Sequence, residues 1–116
     1  MYGDIKKDLA LDYLEDLFLE ISHNIHMAYE FATKYQNNEY AHQQMLALIT
    51  MSHNSYLHAR RHVSEKSLEV EEIRQFWSVY DGVKSALLYK SNITEMHDKF
   101  IDVMGKLNIK FYNWNN

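Results

Sequence analysis

Cysteine and proline are both missing from this chain, and glycine is confined to Gly3, Gly82 and Gly105. Without cysteine there is no disulfide scaffold and no thiolate metal site, which fits a reducing compartment. Without proline, and with no glycine between Gly3 and Gly82, nothing forces a break, so long helices are allowed. No run approaches the roughly 18 apolar residues of a membrane span. The opening "MYGDIKKDLALDYLEDLFLE" is too acidic for a signal peptide. A cytoplasmic protein that does not engage membrane is therefore expected. Also missing are a Gly-x-Ser-x-Gly elbow, a Gly-rich phosphate loop and the Arg-x4-His nuclease pair of helical ribonucleases. The expectation is a non-enzyme with no catalytic residue and no cofactor.

What is present points to a folded chain. Apolar residues make up 47% and charged residues 24% of 116 positions, enough for one hydrophobic core and a single domain over 1–116. Internal repeats and low-complexity stretches are lacking. Four segments carry apolar residues at three- and four-residue steps, a period that a strand cannot use. Their expected spans are about 4–36, about 39–63, about 67–90 and about 93–112. The first carries Leu14, Leu17, Phe18, Ile21, Ile25, Ala28, Ala32 and Tyr35; the second Met45, Leu48, Ile49, Ser52, Tyr56, Ala59 and Val63. The third carries Val70, Ile73, Phe76, Trp77, Tyr80, Val83 and Leu87; the fourth Ile93, Met96, Phe100, Val103, Met104, Leu107, Phe111 and Trp114.

Asn37 or Asn38 can cap the second helix, and Ser64 or Ser67 can restart the chain. "SNITE" reads as a capping box, with Asn92 as cap and Glu95 reaching back. Short links force neighbouring helices to run antiparallel. The predicted fold is all-α, an antiparallel up-down-up-down four-helix bundle with a long N-terminal helix. A turn near residue 92 would set Gly82 opposite about 102 and Gly105 opposite about 79, beside the apolar stripe.

The stretch "MSHNSYLHARRH", Met51 to His62, holds three histidines, two adjacent arginines and no acid. One reading is metal. Glu20-Ile-Ser-His23 and Glu39-Tyr-Ala-His42 both have the Glu-x-x-His spacing of di-iron bundles. The two pairs lie at opposite ends of adjacent helices, however, and His23, His26 and His53 fall off the apolar stripes. Glu20, His23 and His53 are thus weak candidates for an adventitious ion, and no functional metal is expected. Nucleic acid is another reading. Arg60, Arg61, His62 and Lys66 form a basic corner, but an isoelectric point near 5.9 opposes a phosphate-binding footprint. The expectation is a solvated helix face.

Charge is unevenly spread. Residues 1–39 carry eight acids against three bases, whereas the remainder carries eight against nine. Asp4, Asp8, Asp12, Asp16 and Glu20 recur every four residues with Glu15 beside them, a spacing at which like charges repel. Solvated acids near a helix start are one account; docking to a protein partner with a basic surface is the other. Nine tyrosines accompany the ridge, and Tyr2, Tyr13, Tyr29, Tyr40, Tyr89 and Tyr112 lie off the stripes, as residues at protein interfaces do. Asp4, Asp8, Asp12, Tyr13, Glu15, Asp16 and Glu20 are accordingly the expected partner-binding set. The predicted function is a small protein-binding module: an inhibitor, adaptor or chaperone. A metal- or nucleic-acid-binding bundle is the alternative class. A homodimer is also expected, because a projecting start of the first helix would leave Ile5, Leu9, Ala10 and Tyr13 wet.

The last third, "VYDGVKSALLYKSNITEMHDKFIDVMGKLNIKFYNW", resembles the C-terminal part of flagellin-secretion chaperones, which are also small helical bundles. The matching positions are Tyr80-Asp81, Ser91-Asn92-Ile93, Asp102-Val103 and Trp114. A one-residue shift is needed between Tyr80 and Asn92, and the N-terminal half lacks that family's opening. The resemblance implies a secretion chaperone as an alternative function.

Overall fold

The computed structural model describes the backbone of residues 2–115 and the side chains of residues 9–114. The four helices are α1 (Tyr2–Lys34), α2 (Glu39–Lys66), α3 (Glu71–Tyr89) and α4 (Ile93–Asn115). No strand occurs among the described residues. The molecule measures 55 × 22 × 19 Å with a radius of gyration of 15.2 Å, above the roughly 13 Å of a spherical domain of this length. Long helices side by side account for the elongation.

The helix ends follow local chemistry. Asn37 takes a left-handed φ of 63°, and Asn38 caps α2 by accepting from Ala41 N at 2.9 Å. Ser67 does not start α3 as the spacing suggested. It closes α2 with φ 54°, and its N–H donates to Ser64 O and Val63 O. Residues 67–70 thus form the link, with Val70 in extended conformation at the start of α3. The Asn92–Glu95 capping box does not form either. Asn92 lies at φ 56°, and Glu95 reaches forward to Lys99 at 3.5 Å. The next turn offered a cation, which a carboxylate prefers to a neutral N–H.

The core is a layered stack of rings and branched aliphatics. Phe18 from α1 meets the edge of Phe76 at 4.6 Å, and lies 5.5 Å from Trp77 and 5.7 Å from Phe111. One side chain thereby joins α1 to α3 and α4. Tyr56 of α2 stacks on Tyr80 of α3 at 4.2 Å, and Phe76 meets Phe100 of α4 at 5.6 Å. The Tyr80 hydroxyl shares a hydrogen with Ser52 at 3.3 Å, and burial pushes its pKa up to about 12. Tyr35, expected on the inward stripe of α1, is 54% exposed because α1 ends at Lys34.

Asn24 is buried on α1 with its amide Nδ2 unpaired. An unmet buried donor costs about 1–3 kcal/mol. Asn24→Leu should therefore raise the unfolding free energy by about 1 kcal/mol, the remainder being lost to repacking the longer side chain. Urea unfolding reads it. A decrease would mean that the Asn24 carbonyl oxygen contributes more than the amide costs.

Candidate functional site

The α1 face that carries the predicted partner-binding set is described from Leu9 onward. The side chains of Asp4, Ile5 and Asp8 lie outside the described residues, as does that of Tyr2. Asp12, Asp16 and Glu20 are exposed in successive four-residue steps, and Glu15 is half-buried beside them. Among the described residues no cation holds any of the four. Acids elsewhere are held: Glu30 by Lys34 at 3.2 Å, Glu71 by Arg74 at 3.1 Å, Asp102 by Lys106 at 3.4 Å. Next to the ridge a shallow groove of about 330 Å³ runs between α1 and α2. Its walls are Tyr13, Leu17 and Glu20 on one side and Met51, Asn54, Ser55 and His58 on the other. Met51 and Tyr13 are about half exposed, so the groove sets apolar surface directly beside unpaired carboxylates.

Tyr13 is not a loose side chain. Its ring meets the edge of His62 at 4.8 Å, and His62 Nε2 lies 2.8 Å from Ala10 O. The end of α2 therefore covers Ala10 and part of Tyr13, while Leu9 stays 64% exposed. The expectation that this stretch projects bare and pairs with a second copy loses these two residues. The reason is that His62, near the end of α2, reaches across to the first turns of α1.

The basic corner is divided among other tasks. Arg60 Nη1 donates to the Tyr56 hydroxyl at 2.9 Å, and its guanidinium lies over the Trp77 ring at 5.4 Å. His62 is engaged with α1, and Arg74 with Glu71. Arg61 and Lys66 are exposed, with no acid paired to either among the described residues. Two cations provide little phosphate affinity, since binding scales with the number of neutralised charges.

Among the described residues no three histidines, aspartates or glutamates converge on a common point. His53 turns away from Glu20 and His23 toward α3: it lies 3.5 Å from both the Tyr80 hydroxyl and Lys84 Nζ. Burial, aided by the Lys84 charge, lowers its pKa. The weak metal set is thus separated, because His53 faces across the α2–α3 seam and His23 is exposed on α1.

A cluster that the sequence reading missed lies between α1 and α4. His97 is only 7% exposed; its ring stacks flat on Tyr29 at 3.8 Å, and its Nε2 is 3.4 Å from His26 Nδ1. His26 Nε2 stands 3.1 Å from Glu30 Oε1, so the proton on that nitrogen donates to the carboxylate. In neutral rings His26 Nδ1 is then the acceptor and His97 Nε2 the donor. Burial, and then the charge of His26, lower the pKa of His97. The signal was present in the sequence: His97 follows Ile93 by four residues and precedes Met104 by seven, on the apolar stripe. Two nitrogens make a hydrogen-bonded seam, not a metal site, which needs at least three protein ligands.

A second cavity, about 460 Å³, opens at the end of the molecule where the α1–α2 link approaches the α3–α4 link. Phe31, Met45 and Ile93 contribute apolar surface, and Asn38, His42 and Lys90 contribute polar groups. Among the described residues no hydrogen bond or ion pair joins these polar side chains to one another.

No helix of the described residues is long and apolar enough to cross a membrane. No protein-family model, curated protein or solved structure matches the chain. The likeness of the last third to flagellin-secretion chaperones therefore stands on its quoted residues alone.

Proposed function

We propose that this chain is a small non-enzymatic protein-binding module, an inhibitor, adaptor or chaperone, that docks a basic partner on the α1 face. One observation carries the reading: Asp12, Asp16 and Glu20 are exposed at four-residue steps with no cation paired to them among the described residues, beside a groove of mixed polar and apolar walls. Like charges so placed cost helix stability. A partner that supplies lysine or arginine relieves that repulsion, and an apolar side chain entering between Leu17 and Met51 adds contact that salt does not screen. A basic amphipathic helix has both features. Tyr13, already steadied by His62, supplies a rigid aromatic wall. In this reading the chain is one domain, an antiparallel up-down-up-down bundle in which the long α1 presents the docking face.

The test uses a captured binder and a charge-reversed chain. Immobilised protein retains a binder from native lysate at about 0.05 M salt, where the screening length exceeds 10 Å. Combining Asp12→Lys, Asp16→Lys and Glu20→Lys should weaken that binder by about 100-fold, from roughly 1 kcal/mol per reversed contact. Helicity by circular dichroism should not change. Equal retention by the triple variant at low salt overturns the proposal.

A further inference from the structure

The cavity at the link end of the bundle narrows from a charged mouth to an apolar floor. On α2 its lining residues stand at three-residue steps: Glu39 is exposed, His42 half-buried and Met45 fully buried. Residues three apart share one helix face, so this column descends a single wall. Phe31 and Ala32 of α1 and Ile93 of α4, all half-buried, complete the apolar part. Just beyond Ile93, α3 and α4 close on each other. Met96 fills the notch at Gly82, where an added Cβ would collide with its side chain, and so replaces the neighbour expected near 102. At Gly105, further along α4, an added Cβ would meet nothing within 4 Å, so the expected approach to a residue near 79 does not occur. Two unlike charges remain at the mouth. Lys90 and Glu39 are both exposed, and neither has a partner of opposite sign among the described residues. They line one opening and yet stand too far apart to pair with each other.

We infer that this cavity binds a free α-amino acid with a large apolar side chain, its head between Lys90 and Glu39 and its side chain on Met45, Phe31 and Ile93. Charge selects the head. A lone carboxylate gains Lys90 but meets Glu39, and a lone amine gains Glu39 but meets Lys90. A zwitterion satisfies both at once, because its ammonium donates to the carboxylate while its own carboxylate accepts from the lysine. A peptide end presents only one of these two charges beside its terminal side chain. The floor selects the body. Exposed ion pairs contribute little singly, so burial of an apolar side chain against Met45 supplies much of the affinity. The volume of about 460 Å³ is near the lower end for small-molecule sites, as suits a ligand of this size. The cavity lies about 30 Å along α1 from Tyr13, counted at about 1.5 Å per residue. It is separate from the docking ridge and does not depend on it.

The full chain, isotope-labelled and titrated with L-phenylalanine or L-leucine, reports binding through its amide NMR shifts. L-phenylalanine should bind with a Kd on the order of 0.1–1 mM, and the shifts should concentrate in residues 31–45 and 90–93. Phenethylamine, which lacks the carboxylate, and hydrocinnamate, which lacks the ammonium, should each bind about 5-fold more weakly. Two exposed substitutions then separate the charges. Lys90→Asn retains a residue type that tolerates the left-handed φ of 55° found there. It should weaken L-phenylalanine about 5-fold and leave phenethylamine no weaker. Glu39→Gln should weaken L-phenylalanine by a similar factor and leave hydrocinnamate no weaker. No shifts at about 10 mM of either amino acid, a range that reveals even millimolar binding, overturn the site, as do shifts centred elsewhere on the bundle. Equal binding of L-phenylalanine, phenethylamine and hydrocinnamate, or variants that weaken all three alike, overturn the recognition of a zwitterion.

Discussion

Phe18→Ala should cost the protein about 3–5 kcal/mol, a large share of the roughly 5–15 kcal/mol that stabilises a domain. The expectation comes from where the ring sits. Phe18 is fully buried and touches Phe76 and Trp77 of α3 and Phe111 of α4. Removing it takes an apolar ring from water-free surroundings and leaves a void lined by three other rings. Those rings hold one another as well, since Phe76 meets Trp77 at 5.6 Å. They cannot all move inward, so little of the cavity collapses and the cost falls toward the upper end of the range. Thermal unfolding should shift down by about 15 °C for a chain of this length. Leu19→Ala, one residue further along the same helix but half exposed, should cost under about 1 kcal/mol. A loss below about 1.5 kcal/mol for Phe18→Ala would show that α1 packs on the other helices more loosely than these ring contacts require.

The contrast between Phe18 and Leu19 illustrates what periodicity makes legible. The stripes of α1 and α4 placed Leu14, Phe18, Ile21, Ile25, Phe100, Leu107 and Phe111 inward, and all are buried. A helix has one geometry, so spacing alone assigns its faces. Ends were less legible. Ser67 is a good helix starter by residue type, yet it closes α2 in left-handed conformation, because the chain needs a reversal there and Leu68 N–H donates to Val63 O. Capping preference is worth about 1 kcal/mol, and tertiary demands override it easily. Polar residues on apolar stripes were least legible. His97 occupies a core position of α4, but its worth depends on Tyr29, His26 and Glu30 from α1, a helix about seventy residues earlier. Spacing within one helix says nothing of which polar groups arrive from another. The acidic ridge was visible as a repeat; that Asp12, Asp16 and Glu20 have no cation partner among the described residues while Glu30 and Asp102 have one is a matter of packing alone.

Stability should fall as the solution is acidified from pH 7 to pH 5, and His97 should account for much of the fall. Its ring is enclosed by Tyr29 and His26 of α1, with Glu30 bonded to the far nitrogen of His26 and Asp98 adjacent on α4. Burial disfavours the charged ring, and a protonated His26 would repel it; Asp98 opposes both but does not prevail. The folded state therefore holds its His97 proton less readily than the unfolded chain, whose ordinary value is 6.5. Above that value neither state is protonated and the full stability is present. Below it the unfolded chain takes up a proton that the folded chain refuses, and stability drops by at most about 1.4 kcal/mol per pH unit until the folded ring also titrates. His53, lowered by burial and by Lys84, contributes in the same direction. Glu30, lowered first by its hydrogen bond to Lys34, acts in a separate window below its ordinary 4.5. His97→Phe keeps a ring on Tyr29 and removes the proton site. Urea unfolding across pH 5–8 should then show a shallower slope than the wild type, with the residue due to His53. A His97→Phe variant that retains the whole wild-type slope would assign the proton uptake to the α2–α3 seam at His53 and Lys84 instead, and would make the α1–α4 histidine pair indifferent to acid.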